Sequence, residues 1–482
     1  MERKKSFIAQ IINVGIGTVI TLLIGLISTP IITRLVVPED YGSFSLFNTY
    51  TTLGVTFLTI GLDQAYVRYF YTVDDNNWKN LLFKKCILVA LSIDIIFIAI
   101  FFMVKIFGGL SLSKWIMITY VVNLMVMILY RFYLIDLRVH YYTNFYSFMN
   151  CFNKIIYVSL AVLFVIQHHR QDYQCLILAV VISNIVSLFM MVIHRIKNNV
   201  ESSGYIPKNQ RKIEILPLLK YGVPLMFSSA LFSVMQSSDR IELSMFCDNA
   251  TIGIYASAQT LMALLSMIQN TFNTVWAPRA IEAYENGEGT KEYYKKMNDC
   301  VAIVMFSFGI IFLMVKNIII LFLGAKYREA MFIIPFLVCN PVMYTLSETT
   351  YIGITIKKKS IYEVYIMFSA CVMNIILNYI LIRTIGAKGA AIATGISYVF
   401  FFSLRTIVSE HLIHVGFNKF KIFICTVVLI MNCIINTYIY SILVQYIVGG
   451  MSLLLVVLVY RNTLQQIVFF LKSNIMLRLK RR

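Results

Sequence analysis

Long apolar runs recur along the chain and are separated by short polar segments. Each run holds about 18 or more predominantly apolar residues, enough for a helix to cross a bilayer. We number the fourteen predicted spans in chain order. They cover 8–35, 42–66, 86–106, 115–135, 142–166 and 173–194, then 221–245, 252–277, 300–323, 329–353, 362–383 and 388–408, and finally 421–440 and 442–460. The pattern predicts an all-α polytopic membrane protein.

The composition agrees with this prediction. Of 482 residues, 59% are hydrophobic and 13% are charged, whereas soluble proteins have about 25% charged residues. The net charge of +19 would suggest a nucleic-acid partner if its placement were ignored. With the N-terminus inside, 31 of the 42 lysines and arginines lie in or beside inner segments and nine lie in outer segments. This positive-inside bias predicts cytoplasmic termini and contact with membrane lipids, without nucleic acid.

The sequence matches itself when it is shifted by 211 residues. Segment 39–50 then falls on 250–261, and Arg68, at the inner end of span 2, falls on Arg279, at the inner end of span 8. Such a repeat predicts two halves of six spans with the same orientation. The predicted domains are an N-lobe (1–195), a cytoplasmic linker (196–220), a C-lobe (221–409) and a final part with spans 13 and 14 and a basic cytoplasmic tail (410–482).

Four spans carry polar residues at helical spacing, as helices that line a wet cavity do. The stripe of span 2 consists of Ser45, Thr49, Thr52, Thr56, Thr59 and Asp63. The stripe of span 7 consists of Ser229, Ser233, Gln236, Ser237 and Arg240. Span 8 offers Gln259, Ser266, Asn270 and Asn273, and span 1 has a milder stripe. The alternative is that these residues pack helices together. We predict a cavity in which Thr56, Gln236 and Asn270 contact substrate.

Charged residues within spans mark candidate functional positions, because burying them in lipid is costly. Arg240 and its neighbour Asp239 lie toward the outer end of span 7, where they form either a structural ion pair or part of a wet pathway. Asp94 in span 3 and Lys154 in span 5 could pair with each other. The nine cysteines are scattered without a CxxC pair, so neither a metal site nor a cofactor is predicted.

Asp63 and Asp94 are the candidate sites for a driving H⁺ or Na⁺. Both are taken as carboxylates without a partner, whereas Arg240 would hold Asp239 ionised. Arg68 and Arg279 are candidate ligand contacts because of their repeat symmetry, although positive-inside bias alone would also explain them.

Four segments resemble bacterial polysaccharide repeat-unit flippases of the Wzx type, in the multidrug/oligosaccharidyl-lipid/polysaccharide exporter superfamily. They are "GLDQAYVRYF" (61–70), "SSDRIEL" (237–243), "ATIGIYASAQ" (250–259) and "IGAKGAAIATGISYVFFF" (385–402). The resemblance implies two six-helix lobes in a V around a cavity lined by spans 1, 2, 7 and 8, with two extra C-terminal helices. It also implies alternating access. The implied substrate is an oligosaccharide on undecaprenyl diphosphate, flipped to the outer leaflet of the plasma membrane for O-antigen, capsule or another surface polysaccharide.

The resemblance also implies roles for particular residues and partners. Arg240, Arg68 and Arg279 would supply the positive charge of the cavity, and spans 13 and 14 would hold the polyprenyl tail. Polysaccharide polymerase machinery is an implied partner. Several drug exporters of the superfamily carry an acidic coupling residue in span 1, which this chain lacks, so that site is not carried over.

Two alternatives differ in class. A cation-coupled drug antiporter of the same superfamily would place acids and aromatics, rather than arginines, in the cavity. A membrane sugar polymerase or glycosyltransferase would need catalytic residues in a sizeable outer loop. The longest predicted outer loops have about ten residues and lack paired carboxylates or a histidine cluster suited to acid–base work. The protein is therefore predicted not to be an enzyme.

Overall fold

Polar residues in the connecting segments set where several helices begin. The side chains of Asp75, Ser113, Asp248 and Thr290 each accept a hydrogen bond from a backbone N–H two or three residues later. They satisfy donors that the first turn of a helix leaves without an intrahelical acceptor. The apolar stretches that follow these caps are the predicted spans.

The computed structural model describes residues 17, 20, 21, 23–73, 75–107, 113–168, 172–198 and 213–466. These residues contain helices and no strand. The α-helices are α1 (Leu23–Leu35), α2 (Pro38–Leu58), α3 (Leu62–Phe70), α4 (Asn76–Ile106), α5 (Lys114–Val139), α6 (Thr143–His168), α7 (Tyr173–Asn198), α8 (Ile215–Phe246), α9 (Asn249–Leu261), α10 (Ala263–Glu285), α11 (Lys291–Ile319), α12 (Ile334–Leu337), α13 (Cys339–Thr350), α14 (Ile352–Ile356), α15 (Ile361–Ile385), α16 (Ala387–Leu412), α17 (Lys419–Tyr438) and α18 (Ile442–Val459). Two short 3₁₀ segments, Ile320–Phe322 and Ala325–Phe332, precede α12.

Within the described ranges, ten helices are long and apolar enough to cross a membrane, and twelve if each of two bent pairs is one span. These twelve match predicted spans 3 to 14. The bent pairs correspond to span 8, bent by 49°, and span 10, bent by 59°. The prediction of a polytopic helical membrane protein is confirmed, and the described residues hold at most twelve of the fourteen expected spans.

Predicted spans 1 and 2 are not among these twelve, each for its own reason. Span 1 begins outside the described residues, and its described part, α1, is short. Span 2 is helical but breaks between α2 and α3, where Ile60 and Gly61 have φ of 46° and 68°. The polar stripe of α2 also lowers its hydropathy.

The chain divides into two compact units, Met1–Ile241 and Glu242–Arg482. In the first unit, α3, α4 and α5 share a core that contains Leu62, Tyr66, Phe83, Leu124 and Phe132. The boundary lies near the end of α8, beyond the predicted linker 196–220. The predicted division into lobes stays a prediction.

In the second unit, α16 packs against α13 and α15, while α17 and α18 pack against α11. Many large apolar side chains on these helices point outward, including Phe368, Phe423 and Leu454. Such side chains suit contact with lipid tails.

Candidate functional site

The threonine stripe of α2 is mostly buried. Thr49 and Thr56 donate hydrogen bonds at 2.8 Å to carbonyl oxygens one turn earlier on the same helix. Thr52 makes the same bond but is exposed. These bonds satisfy the hydroxyls within the helix, so the stripe can lie at a helix contact or beside water without leaving a donor unused.

The stripes of α2 and α8 face each other within the first unit. Arg240 Nη1 of α8 donates a hydrogen bond to Thr49 Oγ1 at 3.0 Å and approaches Ser45 Oγ at 3.5 Å. Further along the same seam, the hydroxyls of Thr56 and Ser233 lie 3.4 Å apart. The guanidinium is partly buried among hydroxyl groups, which accept its hydrogen bonds. The same hydroxyls can donate to and accept from the hydroxyl groups of a sugar.

A backbone contact brings the segment after α2 close to the first turns of α8. Gly61, at the break between α2 and α3, has φ of 68°, a conformation that favours glycine. A Cβ atom at Gly61 would lie 2.0 Å from the carbonyl oxygen of Gly222 in α8. The break and the close approach therefore both require glycine at this position.

Asp63 has a partner that the sequence prediction missed. Arg131 of α5 donates to Asp63 Oδ2 from Nε at 2.9 Å and from Nη2 at 2.7 Å, and the Asp63 side chain is buried. The expectation that Asp63 is unpaired is wrong. Arg131 lies near the end of span 4 that was predicted to be the inner one, where a cation also serves as a topology signal, so no separate sequence signal indicated this pair.

Asp94 and Lys154 do not pair with each other. Asp94 is fully buried, and neither of its carboxylate oxygens has a hydrogen-bond partner among the described residues. The ammonium of Lys154 lies 5.2 Å from the ring centroid of Tyr157 on its own helix. The suggested ion pair is therefore wrong, and no described residue offers the buried Asp94 carboxylate a hydrogen bond.

The other predicted contacts lie in different surroundings. Arg68 is exposed at the end of α3. Arg279 is 54% exposed and forms an ion pair with Glu282 of its own helix at 3.0 Å. Asn270 is exposed, and Gln236 and Asp239 are half-buried and buried, respectively. Of the candidate residues, the structure brings Arg240 and Thr56 to one seam within the first unit.

Two buried arginine–carboxylate clusters were absent from the predicted site. Asp136 of α5 pairs with Arg195 of α7, and Glu348 of α13 pairs with Arg405 of α16 at 2.7 Å. Glu348 and Arg405 are 57 residues apart in the chain. His140 lies just beyond α5. Burial opposes its protonation, but the hydrogen bond from the ring to Asp136 and the charge of that carboxylate raise the pKa of the imidazole overall.

Comparison with known proteins gives the family. Residues 7–283, more than half of the chain, match the family described as "Polysaccharide biosynthesis protein", and the chain belongs to that family. An uncharacterized membrane protein of Haemophilus influenzae is 23% identical over 387 residues, which cover 77% of this chain and 86% of that protein.

Solved structures share the fold. Lipid II flippase MurJ in an inward closed conformation matches with a TM-score of 0.68 at 14% identity, covering 94% of this chain and 100% of that one. An inward-facing MATE family multidrug resistance transporter of the MOP superfamily matches with a TM-score of 0.54 at 13% identity, covering 84% and 95%. The predicted family of polysaccharide biosynthesis proteins is confirmed, and these structures share the predicted fold.

Proposed function

We propose that the protein flips an oligosaccharide linked to undecaprenyl diphosphate across the bacterial plasma membrane, from the cytoplasmic to the outer leaflet. The observation that carries the proposal is the partly buried seam in which Arg240 meets the hydroxyls of Thr49 and Ser45. Membership of the polysaccharide biosynthesis family, and a fold shared with a lipid II flippase, support it.

The seam suits both parts of such a substrate. A diphosphate is recognised by fixed positive charge, and the planar guanidinium of Arg240 can donate two parallel hydrogen bonds to it. The threonine and serine hydroxyls can donate to and accept from sugar hydroxyls. Asp239, buried beside Arg240, would hold the guanidinium in place. Arg68 and Arg279, both exposed, would meet the headgroup only at the inner surface.

The proposal places the protein in the plasma membrane with both termini cytoplasmic, acting by alternating access as a transporter and not as an enzyme. The charge-free run 422–460 in α17 and α18 would contact the polyprenyl tail. The product would serve O-antigen, capsule or another surface polysaccharide, with polymerase machinery as a partner.

Asp94 is the better proposed site for coupling to H⁺. Its carboxylate is buried and neither oxygen has a hydrogen-bond partner among the described residues, so a bound cation such as H⁺ would compensate its charge. Asp63 fits this role less well, because Arg131 already occupies its carboxylate at 2.7 Å. An Asp94→Asn variant should lose the pH dependence of transport, and transport that keeps its full pH dependence would reject Asp94.

The direct test is the sidedness of lipid-linked oligosaccharide in host cells that lack this protein. We expect the intermediate to accumulate on the inner leaflet, protected from a membrane-impermeant oxidant of sugar diols. Wild-type protein should restore its exposure, Arg240→Gln should not, and Lys296→Gln, a change at an exposed cation, should behave as wild type.

The drug-antiporter alternative has the MATE-like fold in its favour. It predicts drug extrusion from loaded vesicles and unchanged sidedness of the lipid-linked sugar. That result would replace the flippase proposal.

A further inference from the structure

In the first unit, Asp136 joins the inner ends of three helices. Its carboxylate pairs with Arg195 of α7 and accepts a hydrogen bond from Tyr66 Oη of α3 at 2.5 Å. The Arg195 guanidinium also lies 3.6 Å from the centroid of the Phe83 ring and donates to Asn80 Oδ1 at 2.8 Å, both on α4. The Asp136 and Arg195 side chains are 7% and 13% exposed, so the pair is largely removed from solvent.

The second unit contains a comparable arginine–carboxylate cluster, whose arginine stacks on a ring at a different position of the repeat. Glu348 Oε1 of α13 accepts a hydrogen bond from Arg405 Nη1 of α16 at 2.7 Å. Trp276 Nε1 of α10 donates to the backbone carbonyl of Glu348 at 3.1 Å. The Arg405 guanidinium lies 3.9 Å from the centroid of the Tyr351 ring and pairs with a second carboxylate, Glu363 of α15, at 3.0 Å.

Aromatic pairs next to the two clusters correspond as well. The Tyr66 and Phe83 rings meet edge to face at 5.5 Å, and the Trp276 and Tyr294 rings do so at 6.3 Å. In each unit, the first ring carries the donor that bonds to the acidic residue.

The two clusters stand in the register of the sequence repeat. The corresponding positions are Tyr66 and Trp276, Phe83 and Tyr294, Asp136 and Glu348, and Arg195 and Arg405, with offsets of 210, 211, 212 and 210 residues. All four offsets fall within one residue of the 211-residue shift that aligns the two halves. The same spans of each half therefore supply the same kinds of group.

We propose that these clusters are positioning devices, which we call inner clasps: Asp136 with Arg195, and Glu348 with Arg405. Each clasp would hold the inner ends of the fourth and sixth spans of its half in one arrangement while the protein changes state. The transport role of the clasps rests on the proposed function.

A clasp acts on helices that the chain does not join directly. Helix α6 lies between α5 and α7, and α14 and α15 lie between α13 and α16. A buried ion pair adds little net stability over apolar residues, but it specifies one geometry, and removing one partner leaves a costly buried charge. The fork of an arginine that bonds to two elements and stacks on a ring allows little sliding between them.

Neutral substitutions test whether the clasps matter. We expect Asp136→Asn, Arg195→Gln, Glu348→Gln and Arg405→Gln each to reduce flipping by at least about tenfold and to lower the melting midpoint in detergent by roughly 5 °C. Arg195→Lys should be intermediate, because it keeps the charge without the fork. The matched control is the exposed pair Glu292–Lys296, 2.9 Å apart, where Glu292→Gln and Lys296→Gln should change neither readout. Wild-type flipping and midpoint in the clasp variants would overturn the proposal.

A covalent cross-link in place of the ion pair tests whether the two helix ends stay together during transport or must move apart. In a background cleared of the nine native cysteines, Asp136→Cys and Arg195→Cys are combined and joined by a reducible bifunctional methanethiosulfonate reagent. Without the cross-link, we expect the double-cysteine variant to flip poorly and to have a lowered melting midpoint. The cross-linked protein should recover both. Cross-linking that forms fully but blocks flipping would show that the ends must separate, which overturns the proposal.

The midpoint and the cross-linking yield do not depend on the substrate. If wild-type protein flips no lipid-linked oligosaccharide while the clasp variants still lose stability and recover it on cross-linking, the proposed function fails and the structural clasp stands. If the midpoint of every clasp variant equals that of wild type, the clasp fails whatever the substrate.

Discussion

Arg131 on α5 donates from both Nε and Nη2 to a single oxygen, Oδ2, of Asp63 on α3, at 2.9 and 2.7 Å. The carboxylate is buried, while the arginine side chain is 33% exposed. The pair ties the segment after the α2 break to the neighbouring helix, so the carboxylate that was expected to bind a driving ion already has an arginine partner.

Neutralising Arg131 should destabilise the protein more than neutralising Asp63. Arg131→Gln leaves a buried carboxylate uncompensated and should cost about 2 kcal/mol or more, whereas Asp63→Asn leaves a partly solvated arginine and should cost less. The double change should be milder than Arg131→Gln alone. Thermal midpoints in detergent measure this order, and equal losses for both single variants would contradict it.

Arg240 and Asp239 allow a second test by double substitution. Loss of a charge-assisted bond to phosphate should weaken headgroup binding by about ten- to a hundredfold in Arg240→Gln. Arg240→Lys should keep part of the activity, since charge survives without the fork. If Asp239 and Arg240 serve only as a structural pair, Asp239→Asn combined with Arg240→Gln should restore surface-glycan display. We expect the double variant to stay defective at normal expression.

The α2 stripe should be accessible to water at Thr52. A cysteine at Thr52, which is exposed, should react quickly with a charged, water-soluble thiol reagent in a background without native cysteines. Cysteines at Thr56 and Thr59, which are buried, should react only as the protein changes state. Leu53 and Phe57 serve as off-stripe controls. Phe57 is 44% exposed, and we expect this off-stripe face to contact lipid, so a cysteine there should react slowly. Equal rates at all five positions would favour a packing role for the stripe.

The close backbone contact at Gly61 can be tested with Gly287 as its control. Both have positive φ, 68° and 74°. Only at Gly61 would a Cβ atom meet another backbone, at 2.0 Å from the Gly222 oxygen, whereas none of the described atoms lies within 4 Å at Gly287. Gly287→Ala should cost about 1–2 kcal/mol from strain alone, and Gly61→Ala should reduce folded protein in the membrane far more. Similar yields would argue against the contact.

Orientation can be tested with reporter fusions at two connections. A fusion after Lys358 should report the cytoplasm, and one after Gly386 should report the outside. The basic run 357–359 motivates the inner assignment through the positive-inside rule. Reversed signals would refute both the orientation and the direction of flipping.

The sequence by itself determined the helical membrane class and the place of most spans. A bilayer demands runs of about 20 apolar residues with every backbone group bonded internally, and these requirements are local. Helix caps such as Asp75 and Ser113 also depend only on neighbouring residues. The same is true of polar stripes such as the one that ends at Arg240, which follow the period of the helix. The 211-residue shift was also visible in sequence, and the inner clasps stand in its register.

Tertiary structure alone decided which charges meet. Asp63 pairs with Arg131, which is 68 residues away, while Asp94 and Lys154 do not pair. Asp136, Arg195 and their counterparts were not predicted as partners. They lie near the ends of predicted spans, where charged residues are expected as topology signals. Helical periodicity shows which face of a helix is polar, but its neighbour across that face is set by the packing of helices that are distant in the chain.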